Sequence, residues 1–149
     1  MASTTWQLLE RAERVEVLSA RIYGALARRF RGAPEVRALF ERLEAEEQQH
    51  ASRVRLLASH HRNEPRLPLD ADPAALDVCI ADATRALADI EAGRWPTDLA
   101  EVRGRLRALE DRLARAHAEV LSKGAPPALR SFFEILAQQD EAHARLLGG

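Results

Sequence analysis

The sequence predicts an all-α protein of four long helices and one short one. Three observations carry that expectation. Apolar residues recur at intervals of three and four, no segment alternates with period two, and Gly/Pro breaks divide the chain into five periodic stretches. At 149 residues the chain is long enough for one domain with its own core.

Residues 5 to 31 place Leu9, Ala12, Ala20, Tyr23, Ala27 and Phe30 at helical spacing. Gly32-Ala33-Pro34 ends this helix, and Pro34, lacking an N–H that a first turn would leave unpaired, opens the next. The second helix runs to about His61, with Val36, Phe40, Leu43, Val54 and Leu57 on one stripe. Pro65, Pro68 and Pro73 then interrupt the chain. A shorter helix follows over about 74 to 92 and stops at Gly93. Thr97 or Asp98 can cap a long helix reaching about Ser122, and a last helix runs from about Pro127 to Leu147. The reading is a single domain, 1 to 149, of two hairpins (about 9 to 62 and 97 to 147) joined by a crossover, 63 to 96, that carries its own short helix.

Net charge is −1, and the arginines alternate with acids as they do on solvated helix faces. Nothing in that balance suits nucleic acid or a membrane surface as partner. Cys79 is the one cysteine, which excludes an intramolecular disulfide and any Cys-x-x-Cys metal knuckle within these residues. It is expected as a small core residue of the short helix. No apolar stretch of signal-peptide or membrane-span length appears, so the cytoplasm is the expected compartment. Trp6 and Trp95 are expected at the bundle ends or in a subunit interface, and His60 and His61 as solvated helix-end residues.

The two hairpins repeat one another. Phe40 and Phe133 set an offset of 93 residues, and the same offset pairs Arg37 with Arg130, Leu43 with Leu136, Glu47 with Asp140 and His50 with His143. A Gly-Ala-Pro break precedes each, at 32–34 and 124–126. Similar amphipathic helices explain the matching Phe and Leu. They do not explain an acid and a histidine three apart, in register, twice.

Residues three apart on a helix share a face, so each acid-x-x-His can offer a carboxylate oxygen and an imidazole nitrogen to one point. Phe40, Leu43, Glu47, His50, Val54 and Leu57 step by three and four, as do Phe133, Leu136, Asp140, His143 and Leu147. The acids and histidines therefore stand in line with the apolar stripes, where ionised groups are costly unless compensated. On the first helix Glu16, Ser19 and Tyr23 share the stripe of Leu9 and Phe30. On the fourth, Val102, Leu106, Glu110, Leu113, His117 and Val120 form the equivalent stripe. Glu13 or Glu119 could take the places of Glu16 or Glu110 after a small change of register. Four carboxylates and two imidazoles then converge from four helices. Two divalent ions would balance the four charges, and mixed carboxylate and imidazole donors suit iron or manganese better than structural zinc.

This pattern resembles the ferritin-like di-iron carboxylate proteins, most closely their rubrerythrin-like branch. In such bundles two helices each supply a Glu and the other two each supply a Glu-x-x-His. The resemblance covers about residues 9 to 62 and 97 to 147. It implies a ferritin-like four-helix bundle holding two iron ions, or manganese, with Glu16, Glu47, His50, Glu110, Asp140 and His143 as ligands. It also implies that Tyr23 and His117 orient the ligand carboxylates, although His117 could itself ligate. Three positions depart from the family pattern. Asp140 replaces a Glu and is one methylene shorter, Leu113 stands where rubrerythrins proper carry an extra Glu, and His117 stands where Tyr is common.

By that resemblance the protein is expected to be an oxidoreductase that reduces hydrogen peroxide or dioxygen with an external electron donor. The alternatives are ferrous oxidation and iron storage, a metal-binding subunit or cargo of a larger shell, and a helical scaffold with a degenerate site. Small bundles of this kind commonly dimerise, which leaves a homodimer open.

Overall fold

Five helices carry the computed structural model, which describes residues 3–62, 68–69, 73–121 and 127–148. They are α1 (Thr5–Arg29), α2 (Pro34–His61), α3 (Ala74–Glu91), α4 (Leu99–Leu121) and α5 (Pro127–Gly148). A two-residue antiparallel ladder, β1 (Ser3–Thr4) with β2 (Pro68–Leu69), places Ser3 opposite Leu69 and Thr4 opposite Pro68. Two residues per strand cannot display a period-two alternation, which is why the sequence shows no sign of them.

Local chemistry sets the helix ends. Ala33 is extended and Pro34 enters the first turn of α2. The Oδ2 of Asp98 accepts the Glu101 N–H at 3.2 Å, so Asp98 rather than Thr97 caps α4. After α3, Gly93 takes φ +73°, a left-handed conformation that a Cβ would strain, and its N–H returns to the Ile90 carbonyl.

α1 packs along α2 and α4 along α5, while α3 lies against both α1 and α4. This third helix explains why α1 buries residues around much of its circumference, Leu18, Ile22 and Ala25 included. Two apolar clusters result. One gathers Leu9, Val54, Leu76, Leu113, Phe133 and Leu136; the other gathers Leu26, Phe40, Leu43, Leu87, Leu106 and Leu147. On α2 the stripe passes from Leu43 in one cluster to Val54 in the other, and on α5 from Leu136 to Leu147. Glu47 and His50, and Asp140 and His143, fall in those intervals. The bundle is thus apolar toward both ends and polar at its middle.

Trp95 is buried beneath the Arg105 guanidinium, and Trp6 is half-buried beside Arg62. Cys79 is buried on α3. His60 is exposed and His61 half-buried at the end of α2. Among the described residues, no helix is long and apolar enough to cross a membrane.

Candidate metal centre

Seven titratable side chains lie in the polar middle: Glu16 from α1, Glu47 and His50 from α2, Glu110 and His117 from α4, and Asp140 and His143 from α5. None exceeds 4% exposure. The helices bring in all six residues expected as ligands, as well as His117 and Tyr23. Glu13 instead pairs with Arg55 on the outside at 2.7 Å, and Glu119 is exposed, so neither replaces Glu16 or Glu110.

Donor atoms converge in three groups, within each of which they lie within 4.8 Å of one another: Glu16, Glu47 and His50; Glu47, Glu110 and His143; and Glu16, His117 and Asp140. Glu47 belongs to two of them. Its Oε2 is 3.5 Å from Nδ1 of His50, and its Oε1 is 2.7 Å from Nδ1 of His143. Nδ1 of His50 is also 3.7 Å from Oε2 of Glu16, and Nδ1 of His143 is 3.5 Å from Oε1 of Glu110. Asp140 does not mirror Glu47. Its Oδ2 lies 2.6 Å from Nδ1 of His117, and it groups with Glu16 rather than with Glu110 and His143. One methylene fewer keeps this carboxylate near its own helix, where the His117 ring meets it.

Around this set lie further hydrogen bonds. The Tyr23 hydroxyl donates to Oε1 of Glu110 at 2.5 Å. Nε2 of His143 is 2.8 Å from Oε2 of Glu46, whose side chain is one-third exposed. Glu46 has no counterpart in the sequence reading. It lies off the apolar stripe, and nothing in the helical spacing separates it from an ordinary surface acid. The rings of His50 and His143 stack with centroids 5.6 Å apart, and Phe133 packs on His117.

Mutual burial displaces the acidities. Burial, and then the charge of Glu47, push Glu16 up to about 8. Burial also raises Asp140, reinforced by Glu16, Glu110 and Glu47. Burial would raise Glu47 as well, but its contacts with Glu16, His143 and His50 reverse the direction and hold it low. Burial alone would lower the histidines. Glu16 and Glu47 outweigh it at His50, pushing it up to about 10, and Glu110 and Glu47 at His143, pushing it up to about 11. At His117 burial wins, and the imidazole is held neutral. Burial and Glu110 raise Tyr23 well above the phenol range, so it keeps its proton.

Even so, nine buried donor atoms make no well-formed hydrogen bond, although Nδ1 of His143 and Oε1 of Glu47 stand 2.7 Å apart: both oxygens of Glu16 and of Glu47, one each of Glu110 and Asp140, Nδ1 of His50 and of His143, and Nε2 of His117. Buried polar atoms are rarely left unpaired, and nine clustered in the middle of one bundle are a donor set that bound ions or water would satisfy. Separations of 3.5–3.9 Å are too long for hydrogen bonds. They suit donors on a common ion, which lie about 3 Å apart at right angles and ~4 Å apart when opposite. A divalent transition-metal pair fits this donor set in charge, softness and spacing.

A cavity of about 30 Å³ adjoins the set between α1, α3 and α4, lined by Ser19, Tyr23, Glu110, Leu113 and other residues. It is large enough for a water-sized molecule.

No curated protein and no solved structure matches the chain. The family profile of rubrerythrin matches it over residues 7–148, which include all four bundle helices and both acid-x-x-His phrases. The polar middle, the shared Glu47 and this match lead to one assignment: the chain belongs to the rubrerythrin family of ferritin-like di-iron carboxylate proteins.

Proposed function

We propose that the protein is a di-iron, or di-manganese, oxidoreductase that reduces hydrogen peroxide or dioxygen with electrons from an external donor. The observation that carries this reading is the single carboxylate of Glu47 facing two donor sets at once, one with Glu16 and His50 and one with Glu110 and His143. When bound, two adjacent redox metals supply two electrons to one O–O bond and positive charge to the oxygens that form. For peroxide, two electrons and two protons yield two waters.

The chain's own residues prepare the site. Tyr23 keeps its proton and fixes Oε1 of Glu110, the oxygen that stands 3.5 Å from Nδ1 of His143. Glu46 holds Nε2 of His143, which turns Nδ1 inward. The cavity beside Glu110 gives a small molecule a place to stand next to the ligand set.

A second reading, ferrous oxidation and storage, is favoured by one observation. Leu113 is a buried wall of that cavity, where the peroxide-reducing members of the family carry a carboxylate. Stopped-flow mixing of the reduced, metal-loaded protein with each oxidant separates the two. Fast reaction with peroxide supports the first reading. Sustained ferrous oxidation by dioxygen with mineral growth, and sluggish reaction with peroxide, would replace it with the second. A protein that takes up no transition metal on reconstitution would overturn both and leave a helical scaffold.

A further inference from the structure

We propose that His117 is itself a metal ligand beside Glu16, held in place by Asp140, so that the two ions are held by three imidazoles rather than two. The inference rests on the di-metal reading above and departs from the symmetric ligand set that the repeated acid-x-x-His suggests. In the repeat, Asp140 corresponds to Glu47 and should serve both ions. Instead, its Oδ2 is engaged with Nδ1 of His117 at 2.6 Å, and its other oxygen has no partner.

An imidazole whose Nδ1–H is held by a carboxylate carries its lone pair on Nε2. Nε2 of His117 is fully buried and unpartnered, 3.9 Å from Oε1 of Glu16, which is also unpartnered. That distance is too long for a hydrogen bond and falls within the span of two donors on one ion. The Phe133 ring closes one face of the imidazole, 5.8 Å between centroids, and limits its freedom to turn away. Carboxylate, imidazole and metal in line is a common way to fix a histidine ligand. Here α5 supplies the carboxylate and α4 the imidazole, across 23 residues of sequence. Asp140 acts in this scheme as a positioning residue.

The test counts coordinated imidazole nitrogens by pulsed EPR on protein carrying ¹⁵N-labelled histidine and loaded with Mn(II), with affinity followed by calorimetry. If the wild type binds no Mn(II) and no ferrous iron, the di-metal reading itself falls. If it binds two ions, three coordinated imidazoles support the proposal and two overturn it. His117→Leu, with its helical content checked by circular dichroism, is expected to lose one of the three and to weaken one of the two ions at least 10- to 100-fold. Unchanged nitrogen count and affinity in that variant would overturn the assignment. Asp140→Asn is expected to keep all three nitrogens while weakening the same ion about tenfold. Loss of the opposite ion instead would make Asp140 a ligand on the Glu110 side and would also overturn it. If His117→Leu fails to fold, the wild-type count decides alone.

Discussion

The hydroxyl of Tyr23 donates to Oε1 of Glu110 across 2.5 Å of the interior, tying α1 to α4 at a carboxylate that also faces His143. Tyr23→Phe removes this donor and almost no volume. The variant is expected to fold, but with Glu110 free to rotate its metal affinity should fall roughly tenfold. Calorimetric titration with Mn(II) checks this, and an unchanged affinity would show that Tyr23 only fills space.

Histidine substitutions should separate interior from surface. His50→Ala and His143→Ala each remove a donor from a converging group and are expected to lower affinity by about 100-fold or more. His60→Ala removes an exposed ring and should change nothing. Elemental analysis after dialysis gives the comparison; three equal results would sink the assignment of the site.

Without metal, stability should fall as pH rises. The folded state holds protons that the unfolded chain has already lost: Glu16 is raised from 4.5 to about 8, His50 from 6.5 to about 10 and His143 from 6.5 to about 11. Wherever the native state binds more protons, stability declines with pH. The decline should therefore begin near pH 4.5 with Glu16 and continue to about 11 with the histidines. Glu47 and His117, both lowered, act oppositely, but only below their ordinary values of 4.5 and 6.5. Metal competes for the same atoms and binds more tightly as protons leave, so loaded protein should grow more stable from acidic to neutral pH. Thermal melts of both forms across that range test the opposite slopes. Parallel profiles would mean that these groups do not share a site.

Phe133 lies in the core without exposure and packs against the His117 ring. Phe133→Ala is expected to cost about 3–5 kcal/mol, chiefly through the cavity it leaves. Ile135→Ala, two residues away and half-exposed on the same helix, should stay within about 0.5 kcal/mol. Denaturant unfolding distinguishes them; similar losses would place the wrong face of α5 inward.

The helices were legible because each signal is local: a stripe of period 3.6, a Pro at a first turn, a Gly after a last one. So was the set of inward-facing residues, since an acid on the line from Leu43 to Val54 has nowhere to point but into the bundle. What two of the acids do was not legible. Asp140 occupies the expected register, yet its partner depends on a missing methylene and on where the His117 ring stands, which is a matter of tertiary packing. Glu46 meets His143 from 97 residues away and from outside the stripe, a contact no periodicity can reveal. The short α3 was expected, but not that it would cover both α1 and α4 and bury α1 on two sides.

Glu16, Glu47 and His50 all come from the α1–α2 hairpin, whereas the group of Glu47, Glu110 and His143 draws on both hairpins. An ion held by the first group alone crosslinks only neighbours that already pack together, and it spans both hairpins when His117 of α4 joins Glu16 as a ligand. An ion in the second is a staple between halves of the fold that are far apart in sequence. Pulling the hairpins apart must break that second coordination before water can enter the interior. Occupancy there should therefore appear as slower unfolding and greater resistance to proteolysis, beyond the gain in equilibrium stability that any ligand of the native state confers.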